Sequence, residues 1–167
     1  MDYLLETVDQ VESIPEFNLT TALRDPIALS LKVTNRNFQA WIANFGNGDF
    51  GGGYQYHATP NPDIFCAIIN GVGYWVDTIH PEKWQEMELL PVKRVIAIPS
   101  REMILFHDYT DMMAYGTNGV LWTVNRLSAD GIEILEIEND RIVTRVWDPP
   151  VEKIQAIDFN GRRINHM

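Results

Sequence analysis

The side chains best suited to bond-making are few: His57, His80, His107 and His166, a lone thiol at Cys66, and the hydroxyls of Ser13, Ser30, Ser100 and Ser128. No histidine pair has the HxH or HExxH spacing that sets two imidazoles on one metal ion, so a metal centre would need ligands gathered from distant strands. No serine stands in a G-x-S-x-G elbow. Cys66 lies in the apolar run Ile64 to Ile69, where burial disfavours the thiolate and the sulfur fills core space. His107 and Asp108 are adjacent, and adjacent strand residues point to opposite faces, which argues against a dyad. Asp108 with Asp111, or Glu136 with Glu138, could flank a sugar bond. Glu136 and Glu138, however, alternate with Leu135 and Ile137 as the solvated face of a sheet does.

The most conspicuous local feature is the segment from Gly46 to Gly53, in which five of eight residues are glycine. Glycine lets a ligand approach the main chain closely, so this loop could line a binding site; the plainer alternative is a hairpin tip or bulged turn. It is no phosphate loop, because no Lys-Ser/Thr follows the glycines, and it lacks the dinucleotide fingerprint. Asn47 and Asp49 could offer oxygens to calcium, but without a following glutamate they fall short of a calcium loop. Beyond the glycines come Tyr54 and Tyr56, on alternate positions of one face, and His57. With Asn47 and Asp49 they form the candidate site: an aromatic rim suited to a flat or sugar-like ligand or to a protein surface. The remaining aromatics read mostly as sheet interior, apart from Trp84 on a polar segment.

The elements that must position these residues are mainly strands. Residues 2–12 are the exception, since Leu4, Leu5, Val8 and Val11 recur at helical intervals behind Asp2 as a cap. Residues 13–27 form a connecting segment, or a short helix around Leu19 to Leu23. From Ala28 the period falls to two, and a first hairpin turns at Asn35-Arg36-Asn37. Asn70-Gly71 joins Ile64–Ile69 to Val72–Thr78 with the strongest short hairpin signal known. His80 to Leu90 is the one later helix candidate, with Pro81 at its first position and Pro91 as its stop. The rest, to Phe159, is a meander of short strands punctuated by turn residues.

The whole therefore reads as one mainly β domain over residues 1–167. It is an antiparallel sandwich or open roll of roughly nine to eleven strands, with residues 1–27 as N-terminal helix and connector and 28–167 as the meander. Met112 to Trp122 (MMAYGTNGVLW) resembles the inner part of a propeller blade of the quinoprotein type. A full propeller calls for at least about four blades of four strands, more than this reading supplies, and is set aside.

Composition limits the partners. Thirteen Lys and Arg against 23 Asp and Glu give a net charge of −10. That disfavours nucleic acid, whose affinity comes from clustered cations, and equally disfavours anionic membranes. It favours a protein partner with a basic surface or a small polar ligand, and a homodimer is compatible with exposed strand edges. No cofactor is implied. An acidic N-terminus with no apolar h-region, and a single thiol, make the cytoplasm the expected compartment. The expected function is a non-catalytic binding or interaction module. The alternative is a small hydrolase with a site assembled across strands from His57, Asp77, His80 and His107.

Overall fold

The computed structural model describes residues 3–8, 13–21 and 26–164. They are mainly β, and the chain divides into two compact units, residues 1–90 and 91–167, each holding two four-stranded sheets.

In the first unit one sheet contains β1 (Leu4–Thr7), β2 (Glu16–Leu19), β3 (Ile27–Thr34) and β4 (Ala40–Gly46) in the order β1-β3-β4-β2. Its pairings are antiparallel except β2 with β4, which run parallel. The β3–β4 turn is organised by buried Asn35, whose Oδ1 accepts from the amides of Asn37 and Gln39 at 2.9 and 3.1 Å. The second sheet is a meander of β5 (Tyr54–Ala58), β6 (Ile64–Ile69), β7 (Val72–Asp77) and β8 (Gln85–Glu86). Asn70 and Gly71 both take positive φ, 47° and 88°, as a tight turn matched to strand twist requires. Inward residues of both sheets share one apolar cluster, with Leu31, Val33, Trp41 and Phe45 from one and Phe65, Ile69, Tyr74 and Val76 from the other.

The second unit repeats the scheme with two meanders. β9 (Arg94–Ile98), β10 (Met103–His107), β11 (Met112–Gly116) and β12 (Gly119–Val124) form one sheet. β13 (Ile132–Ile137), β14 (Arg141–Asp148), β15 (Val151–Asp158) and β16 (Arg163–Ile164) form the other. Met103, Leu105, Met112 and Ala114 meet Ile134, Ile142, Val146 and Ile157 in its core. The Trp122 indole donates to the Phe159 carbonyl at 2.9 Å and ties the two sheets together.

Both expected helices give way to strands. Leu4–Thr7 pairs with β3, from Leu4 opposite Thr34 to Thr7 opposite Leu31; Asp2 and residues 9–12 lie outside the described residues. Tyr3 and Leu5 alternate into the core while Leu4 and Glu6 face out, so a period-two reading of the same residues was available. A two-to-three-turn helix is marginal alone, whereas the free edge of β3 offers a ready ladder. Of the short helix expected around Leu19 to Leu23, Leu19 ends β2, Thr20 and Thr21 lie in no regular element, and residues 22–25 lie outside the described residues. In the central segment only Pro81–Lys83 is helical, a single 3-10 turn. Gln85 and Glu86 then pair with Trp75 and Tyr74, and Met87 donates to the Gly73 carbonyl at 2.8 Å. Trp84 packs on the core, with its ring 6.0 Å from that of Tyr74. Among the described residues there are sixteen strands against the expected nine to eleven, so the count that set a propeller aside does not hold.

Candidate functional site

The glycine-rich loop is fastened to the β6–β7 turn. The Asn70 side-chain amide donates to Asn47 Oδ1 at 2.7 Å, and Asn70 Oδ1 accepts from the Gly53 amide at 3.1 Å. Main-chain bonds reinforce this, from Phe50 N–H to Asn70 O at 3.1 Å and from Asn70 N–H to Gly53 O at 2.9 Å. Gly48 is required for the approach: a Cβ there would stand 2.4 Å from the Ile69 carbonyl oxygen and 2.6 Å from that of Asn70. Gly51, Gly52 and Gly53 take φ of 70°, 100° and 72° in open space, which serves to turn the chain into β5. Asn47 is thus a brace for the loop, while Asp49 is exposed beside it.

Strand β5 is an edge strand. Tyr54 and Tyr56 share one face and remain 49% and 45% exposed, with Phe50 exposed nearby in the chain. His57 turns to the opposite face with Gln55, its Nε2 lying 3.4 Å from Gln55 Oε1, so the expected trio does not share one surface. Partial burial holds the His57 pKa below its usual value and keeps the ring neutral at pH 7.

Among the described residues no strand pairs with the outer side of β5. Gly53 accepts from Asn70, which makes that a hydrogen-bonded pair. Bonded and non-bonded pairs alternate along an antiparallel ladder. The register then makes Gln55–Ile68 and His57–Cys66 the bonded pairs. Tyr54, Tyr56 and Ala58 direct their N–H and C=O groups away from β6, along the free edge. No proline, charged side chain or bulge guards this strand, although such devices are how edges are commonly protected.

Asp77, His80 and His107 of the hydrolase alternative each have local partners. Asp77 Oδ1 accepts from the amides of Ile79 and His80, both at 2.8 Å, and so shapes a turn. The His80 ring faces Glu82 at 3.6 Å. His107 belongs to the second unit, where it is buried with Nδ1 2.8 Å from its neighbour's main-chain oxygen, not its carboxylate. Cys66 is buried, its thiol pushed up to about 12 by loss of solvation. Among the described residues no three His, Cys, Asp or Glu side chains gather as metal ligands would, and no helix is long and apolar enough to cross a membrane.

The second unit also holds an open depression of about 490 Å³, unmarked by any sequence motif and lined by Thr110, Asp111, Asn125, Arg126, Ser128 and Asp148 among others. Its polar atoms largely serve the fold. Asp111 accepts from the Arg126 amide at 2.6 Å, Asp148 from Ala129 at 2.8 Å and from the Lys153 ammonium at 3.1 Å. Ser128 Oγ donates to the Trp147 carbonyl at 2.9 Å. These residues come from three separate turns, and only their turn-forming character was visible in the sequence.

Charge is unevenly divided. Residues 1–90 carry 4 Lys and Arg against 12 Asp and Glu, and residues 91–167 carry 9 against 11. The acidity therefore belongs mostly to the unit that holds β5.

No family can be assigned on resemblance. No protein-family model matches the chain, and no curated protein matches it.

Proposed function

We propose that this protein is a non-catalytic binding module that engages a protein partner through the glycine-rich loop and β5. The observation that carries the reading is the pair Tyr54 and Tyr56, large aromatic side chains left half exposed on an unguarded edge strand beside a rigidly fastened loop. Tyrosine is favoured in protein interfaces because it buries much apolar area with few rotatable bonds and keeps a polar tip. The occupied state of Asp77 and the separation of His57 from the tyrosine face weigh against bond-making here. In the cytoplasm, the expected compartment, such a module would meet its partner in reducing conditions that leave Cys66 a thiol.

The test compares wild type with Tyr54→Ser/Tyr56→Ser in cross-linking and co-purification from the native host. A partner retained by wild type and lost by the variant supports the reading. Turnover of ester, phosphate or glycoside substrates that His57→Ala abolishes would overturn it in favour of the hydrolase.

A further inference from the structure

The open groups of β5 set how a partner would be held, not only where. Three successive alternate residues, Tyr54, Tyr56 and Ala58, present main-chain donors and acceptors at the ladder spacing that pair with none of the described residues. On the C-terminal side Thr59-Pro60 closes the strand, and the residue before a proline is held to extended backbone. Resting on the binding-module reading, we infer that β5 is completed by a strand from an extended, lysine- or arginine-bearing segment of a protein partner, which pairs with Tyr54, Tyr56 and Ala58 by main-chain hydrogen bonds and lays alternate side chains over the two tyrosine rings.

Charge selects this occupant over a second copy of the chain. The first unit's 12 acids against 4 bases would repel an identical unit brought edge to edge, while they draw in a cationic segment. β5 itself contains no charged side chain, so the ladder and the aromatic contact form without burying an ion. Specificity for the basic class then comes from the surrounding field, and affinity comes from the backbone and the rings.

A synthetic peptide of alternating lysine and valine is the probe, with a glutamate–valine peptide as the charge control. By NMR the lysine–valine peptide should shift the amides of Tyr54, Tyr56 and Ala58 and slow their hydrogen exchange. Tyr56→Pro removes an outward N–H without touching the inner ladder, a position where an edge strand tolerates proline. It should weaken binding by about a further fivefold beyond Tyr56→Ala, as loss of one hydrogen bond implies. Should Tyr56→Pro fail to fold, the wild-type protein can be tested with the same peptide N-methylated on alternate residues, which should not bind. Equal weakening by Tyr56→Ala and Tyr56→Pro, together with binding of the N-methylated peptide, would overturn strand addition and leave the tyrosine contact standing. Equal binding of the glutamate–valine peptide would overturn the basic partner. A wild-type dimer that Tyr56→Pro dissociates would overturn it too, by giving the edge to a second copy. If Tyr54→Ser/Tyr56→Ser leaves the lysine–valine peptide bound as before, the underlying reading fails with the inference.

Discussion

Asn70 reaches across from the β6–β7 turn to hold Asn47, its side-chain amide donating to Asn47 Oδ1 at 2.7 Å. With the main-chain bonds beside it, this contact links the hairpin most plainly written in the sequence to the loop least able to order itself. A cycle of Asn47→Ala and Asn70→Gly isolates it, because glycine keeps the positive φ that Asn70 adopts. Asn47→Ala should cost about 1 kcal/mol, the ordinary net worth of one hydrogen bond, and the coupling between the two sites should be of similar size. Denaturant melts of the four proteins measure it; additive losses would mean that the contact does not brace the loop.

Gly48 makes the same point sterically. Its Cβ would collide with two main-chain oxygens, and main chain cannot swing aside as a side-chain tip can. Gly48→Ala should destabilise by about 1–3 kcal/mol, as overpacking does, and raise hydrogen exchange across 46–53. Gly131→Ala is the control, because the nearest atom to its added methyl is Trp147 Cβ at 3.8 Å and its φ is ordinary. Similar thermal shifts in the two variants would contradict the close approach.

How much of this was legible follows from where each signal resides. The hairpin at Asn70-Gly71 and the strands from Met103 to Val124 announce themselves through turn residues and β-branched or aromatic runs, which are local properties. The N-terminal segment fits two apolar periods, and the central one carries helix-start residues without a helical apolar period; in both the choice was made by pairing partners elsewhere in the chain. β3 was free to pair with Leu4–Thr7, and β7 with Gln85–Glu86. At the site, alternation correctly put Tyr54 and Tyr56 on one face. The same alternation should have separated His57 from them at once. That Asn47 also braces the loop is not legible locally, since its partner is 23 residues away.

Cys66 provides a probe of opening that needs no engineering, as it is the chain's single thiol. It lies in β6 with no exposed surface, and its pKa is pushed up to about 12. A disulfide reagent at mildly alkaline pH should leave native protein unmodified and label one thiol per chain once denaturant unfolds it. Rapid labelling without denaturant would show that β6 is not a buried strand.

His107 should make the fold sensitive to mild acid. The ring is 4% exposed, its Nδ1 is engaged by the Asp108 carbonyl, and its Nε2 has no partner. Burial, with Arg94 opposite it on β9, lowers its pKa, although the neighbouring Asp108 opposes the shift. A histidine that is harder to protonate when folded binds fewer protons in the native state than in the unfolded one. Above its ordinary value near 6.5 both states are neutral and nothing is lost; as the pH falls below that value the unfolded chain gains the proton first and stability declines. His107→Leu removes the titrating group, so its unfolding free energy should fall less than that of wild type between pH 7 and pH 5. Parallel curves for the two proteins in urea melts across that range would show that His107 titrates alike folded and unfolded, and would reassign any shared decline to other groups such as His57.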